Sequence, residues 1–113
     1  MEMIDKESDN VYRIVFLNKG QVYELFCRSV GSSGIPGFVE VAELEFETDE
    51  SLVIDPTEER MREEFEGVEK LHLPIHSVLR IEQVRRRGAC VIRDTKSGEK
   101  VTPLPLDNPR RNR

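Results

Sequence analysis

What this chain of 113 residues lacks narrows the field first. Its longest apolar run is a few residues, far short of the roughly 20 that cross a bilayer as a helix. The opening residues, Met1 to Asn10, hold neither a basic n-region nor an apolar h-region. They do not read as a secretory signal, and the expected location is cytoplasmic. Its 2 cysteines, Cys27 and Cys90, lie far apart with no CxxC spacing. In a reducing compartment they read as small core residues rather than as a disulfide. Cys90 follows Arg85-Arg86-Arg87, the one setting in the chain that favours a reactive thiolate.

Histidine is equally sparse. His72 and His76 are the 2 present, four residues apart around Pro74. On a strand, such residues share a face but stand roughly 13 Å apart. With no third ligand beside them, neither a metal nor a cofactor is expected. No GxSxG elbow and no set of acid, histidine and nucleophile can be placed. Gly31, Gly34 and Gly37 are spaced by three with no helix after them, so they do not cradle a phosphate. Glu58, Glu59, Glu63, Glu64 and Glu66 crowd one helix and read as a solvated face. Paired carboxylates do acid–base work only where burial separates their pKa values. No catalytic residue is assigned, and the chain is not expected to be an enzyme. A small hydrolase using His76 and a carboxylate ranks last among the readings.

Charge is what the chain has in excess. Charged residues make up 35 %, against a usual ~25 %. The net charge of −5 is unevenly spread. Residues 40–66 carry 12 acids and 2 bases, and residues 67–113 carry 5 acids and 11 bases. Three readings follow: two solvated faces, a face that meets a polyanion or an acidic partner, or head-to-tail self-association.

The apolar pattern is that of strands. Val11 to Asn18 is apolar on both faces and predicts a central strand. Asn18-Lys19-Gly20-Gln21 closes a tight hairpin onto a return strand, Gln21 to Arg28. Gly31 to Gly37 reads as a loop. Phe38 to Phe46 is a third strand whose inward parity switches from Val39 and Val41 to Ala42, Leu44 and Phe46. A bulge or bend near Val41-Ala42 would put both sets inside. Asp55-Pro56-Thr57-Glu58 predicts a helix start, with Asp55 as cap, Pro56 in the first turn and Glu58 completing a capping box. That helix runs to about Glu66, stops at Gly67 and buries Thr57, Met61 and Phe65. Leu71 to Val84 makes two short strands broken at Pro74. Arg85 to Gly88 is a turn, Ala89 to Arg93 a last strand, and Val101 to Leu106 lies extended against the core. The expected fold is mainly β with one α-helix: a bent antiparallel sheet or small SH3/Sm-like half-open barrel, the helix inserted between strands three and four. Its length suits one domain. That domain is expected over residues 11–106, between flexible tails at 1–10 and 107–113.

The basic C-terminal half holds Arg80, Arg85, Arg86, Arg87, Arg93, Lys96, Lys100, Arg110, Arg111 and Arg113. A basic groove with stacking aromatics is the working pair for single-stranded nucleic acid. Tyr12, Tyr23 and Phe38 could serve, but strand positions favour a core role for them.

Val11 to Asn18, Val22 to Leu25, Gly37 to Val41, Val53 to Pro56 running into Glu58-Glu59, Phe65, Leu73 to His76 and Arg80 to Glu82 form a joint pattern, with Val101 to Pro103 as a fainter last piece. Together they resemble a family of small, mainly proteobacterial proteins, a domain of unknown function (number eighteen-twenty). The resemblance spans about residues 11–105 and implies a bacterial, cytoplasmic protein with no established activity. Locally, Pro74-Ile75-His76 through Ile81 is similar to the second motif of Sm-like RNA-binding barrels, and to a strand of a small RNA-end-recognition domain. His76 is present, but Ile75 stands where the Sm pattern has a lysine. The reading that emerges is a non-catalytic binding or adaptor module for another protein. The alternative is an RNA-binding, Sm-like module using His76, Arg80, Arg85, Arg86 and Arg87. Expected partners are a protein or a second copy, and alternatively RNA, with no membrane and no small-molecule cofactor.

Overall fold

The hairpin at Lys19-Gly20 organises the sheet. These two residues hold φ of 55° and 78°, the pair of left-handed conformations that a two-residue type I′ turn needs. They join β1 (Val11–Asn18) to β2 (Gln21–Ser32) in antiparallel register, from Asn18 opposite Gln21 to Tyr12 opposite Cys27. The computed structural model describes residues 10–46 and 55–102. Over them follow β3 (Phe38–Glu45), α1 (Pro56–Glu64), β4 (Lys70–Pro74), a 3-10 turn (Ile75–Ser77), β5 (Val78–Val84) and β6 (Val91–Asp94).

The fold is mainly β, a six-stranded antiparallel sheet in which five strands follow the order β4-β3-β2-β1-β5 and β6 pairs with β2 off that path, with the one helix of the described residues between β3 and β4. The sheet is not closed: β4 and β5 end its five-strand path. The first half of β2 pairs with β6, and its second half with β3. The break at Pro74 falls as expected. Its ring ends β4, and the single 3-10 turn carries the chain into β5.

β2 runs four residues past Arg28, through Gly31 and Ser32, which the sequence placed in a loop. Here β2 has β3 on one side and has left β1, so Gly31 does not sit in a central strand. The expected bend in β3 is present but lies at Glu43, not at Val41-Ala42. Glu43 has φ 58°, and the register of β2 with β3 does not slip across it. Val39 and Val41 on one side of Glu43, and Leu44 and Phe46 on the other, all pack into the same core. Opposite Glu43, β2 breaks alternation in the same way, because Cys27 and Val30 both reach that core. The paired strands turn together, which bends the sheet around one interior.

Asp55 caps α1 by accepting the Thr57 backbone N–H at 3.0 Å, with Pro56 in the first turn. The helix ends at Glu64, and the turn that follows uses Gly67 at φ 81°. Thr57, Met61 and Phe65 are buried as their spacing predicts. Glu58 departs from expectation. It is 5 % exposed, and its Oε2 accepts the Cys90 backbone N–H at 2.7 Å. β6 begins at Val91 rather than at Ala89. Val101 donates to the Ile92 carbonyl at 2.7 Å and packs on the core. Residues 103–106 of the expected Val101–Leu106 segment, residues 1–9 of the expected N-terminal tail and the expected tail at 107–113, with Arg110, Arg111 and Arg113, lie outside the described residues, while Asn10 is described and accepts from Gln83 Nε2 at 3.0 Å.

Candidate functional site

The predicted binding residues do not gather into one group. Arg85, Arg86 and Arg87 follow β5 and line a hollow of about 620 Å³ with Val11, Arg28 and Glu45. Arg28 comes from β2, and Glu45 ends β3. Glu45 draws in two of the four cations: Arg28 Nε lies 2.7 Å from Oε2, and Arg87 Nη1 lies 3.7 Å from Oε1. Arg87 also donates to the Phe46 carbonyl at 3.1 Å. Arg85 and Arg86 are exposed. The sequence missed Arg28, since no local signal links it to a turn 57 residues later. Arg80 and His76 do not join this group. Arg80 is exposed on β5, opposite Val15, and pairs with Glu82 at 3.5 Å. His76 is exposed on the 3-10 turn. His72 is half-buried, with Nδ1 2.9 Å from Ser33 Oγ. Among the described residues there is no group of three or more acids, cysteines and histidines placed to hold a metal ion.

A second surface was not visible in the sequence. Phe46, just past β3, and Phe65, capping α1, stack with centroids 6.4 Å apart and planes 9° apart. Phe65 meets Tyr23 edge-on at 6.4 Å, and Tyr23 meets Phe16 at 5.7 Å, so the stack is anchored in the sheet. Leu44 and Val68 complete an apolar floor, and the groove above it has about 720 Å³. Its rim is Glu43, Glu63, Glu66 and Glu69, with Arg62 as the single base. The helix glutamates therefore divide by role. Glu58 is inside, while Glu63 and Glu66 edge the groove. Glu64 holds the helix to the hairpin, accepting from Tyr23 Oη at 2.9 Å and Asn18 Nδ2 at 3.3 Å and pairing with Lys19 at 2.9 Å. Burial and then this bond to Glu64 push the Tyr23 phenol up to about 12.

The outward face of β1 and β2 carries a charge lattice rather than a site. Glu24, 7 % exposed, accepts from Arg13 Nη2 at 2.9 Å and Arg93 Nε at 2.7 Å, and Arg13 also pairs with Glu82. Burial alone would raise the Glu24 carboxyl, but the bonds from Arg93 and Arg13 outweigh it and hold it below the ordinary value.

The basic run before Cys90 does not activate it. Cys90 is buried, and burial, with the Glu58 carboxylate beside it, pushes the thiol far up. Cys27 is buried and raised to about 12. Both are free thiols within the core.

Among curated proteins and among solved structures nothing matches the chain. A family model does, over residues 10–106, and it takes in both surfaces. By that match the chain belongs to the family described as Domain of unknown function (DUF1820).

Proposed function

We propose that the protein is a non-catalytic binding module that recognises another protein through the groove between β3 and α1, and that the segment it takes is apolar and basic. The observation that carries this reading is the stacked Phe46 and Phe65 floor under four glutamates and one arginine. Apolar side chains find dry aromatic area there, and lysine or arginine flanking them meets the carboxylates. The floor is fixed in advance by the aromatic chain into the sheet, so little ordering is needed on binding.

The test uses two synthetic peptides of equal length, one alternating leucine with arginine and one alternating leucine with glutamate, read by fluorescence anisotropy. The basic peptide should bind and the acidic one should not. Glu66 and Glu69 are exposed, so the double variant E66K/E69K keeps the fold and should weaken the basic peptide by about tenfold, near 1.4 kcal/mol. Equal binding of both peptides, or no loss in the variant, overturns the reading.

A second reading, an RNA-binding module, has its own observation in the hollow where Arg28, Arg85, Arg86 and Arg87 surround one carboxylate. Each phosphate neutralised on a single strand steepens the dependence of log K on log salt by roughly 0.7. RNA held here should show a slope near −2, flattened by R85A/R86A/R87A. An unchanged slope clears these arginines of that role.

A further inference from the structure

β5 is an end of the sheet, and among the described residues nothing pairs with its outer edge. Three apolar side chains on or beside it stand in solvent: Ile75, Leu79 and Ile81, at 53 %, 53 % and 42 % exposure. An open edge of this kind is a template for another strand. β5 reads Val78-Leu79-Arg80-Ile81-Glu82-Gln83-Val84, with Ile81 at its centre. Valines stand at both ends, and an arginine and a glutamate stand one step either side of the centre.

We infer that two copies of this chain pair antiparallel through β5, with Ile81 of one copy opposite Ile81 of the other. A two-fold axis normal to the sheet must pass through a like pair, because directly opposite residues share a face. Centred on Arg80, the pairing sets arginine against arginine, and centred on Glu82 it sets glutamate against glutamate. Like charges directly opposite destabilise a ladder. Centred on Ile81, each Arg80 lies opposite the other copy's glutamate at position 82, and the two isoleucines meet. Arg80 already holds its own Glu82 at 3.5 Å, so the junction becomes a closed square of alternating charge. Ile81 lies on the face of Ile14, its partner in β1, and Ile14 is fully buried. The isoleucine contact therefore extends the core across the junction. Between Val15 and Phe16 the register with β5 shifts, leaving Leu79 as the extra residue. That bulge limits the regular ladder to the three central pairs and makes the association concentration-dependent.

Sedimentation equilibrium from micromolar to millimolar protein tests this. The wild-type chain should pass from monomer to dimer mass, and R80E should raise the dissociation constant at least tenfold. Arg80 is 63 % exposed in its side chain, so its reversal leaves the fold intact. E82R should weaken self-association likewise. An equimolar mixture of R80E and E82R should form a heterodimer, because every opposed pair is then unlike. If circular dichroism shows E82R unfolded through loss of its bond to Arg13, I81K replaces it as a second disruptive variant. Monomer mass throughout for the wild type, or an R80E variant that dimerises as the wild type does, overturns the inference.

Discussion

Glu24→Gln keeps the shape of a buried side chain and removes its charge. In the wild type both carboxylate oxygens are engaged, one by Arg13 at 2.9 Å and one by Arg93 at 2.7 Å. The amide offers one acceptor and turns a donor toward the other guanidinium, so one bond between ionised groups becomes a clash of donors. A hydrogen bond to a charged group contributes about 1.5–3 kcal/mol. Arg13 and Arg93 keep 27 % and 36 % of their side chains in solvent, and Arg13 retains Glu82, so rehydration recovers part of the loss. The lower end applies, about 2 kcal/mol. At roughly 4–8 °C per kcal/mol for a domain of this size, Tm should fall by about 8–16 °C. The carboxyl lies below its ordinary 4.5 in the folded chain. Its contribution is therefore complete above the unfolded value and is lost as pH falls through the folded one. Urea unfolding followed by circular dichroism at a series of pH values should show the wild type and E24Q about 2 kcal/mol apart at neutral pH and converging as the medium is acidified. A difference under about 0.5 kcal/mol at neutral pH, or a gap that stays constant into acid, would refute the account of how this face is held.

Met61 is fully buried between α1 and the sheet, and Met61→Ala should cost about 2–5 kcal/mol in the same unfolding assay. Asp55→Ala removes the acceptor for the Thr57 N–H and should cost about 1 kcal/mol; a neutral result would show that the cap does not hold the helix start. Cys27 and Cys90 should resist iodoacetamide at mildly alkaline pH in the native protein and react fully in urea, as intact mass reports, since burial raises both thiols.

Local chemistry was legible where one segment supplies its own reason. Lys19-Gly20 sets the hairpin, Asp55-Pro56 starts the helix, and Pro74 splits β4 from β5. The parity switch in Phe38 to Phe46 correctly implied a bend, although its position at Glu43 depends on a backbone conformation that composition does not mark. What could not be read depends on distant partners. Glu58 looks like any glutamate of a charged helix until the chain 32 residues later presents the Cys90 N–H. Phe46 and Phe65 are ordinary core candidates, and only their stacking at one end of the sheet makes a groove. Arg80 and Arg85 belong to one basic run in the sequence, yet β5 sets them on different parts of the surface.

The most direct test of the binding reading is a two-dimensional amide NMR titration of the full chain with the leucine–arginine peptide. The account predicts saturable shifts at Leu44, Phe46, Phe65, Glu66 and Val68, reached at about tenfold higher peptide concentration in E66K/E69K. Shifts confined to Arg28 and Arg85 to Arg87, or no saturable shift at all, would contradict it.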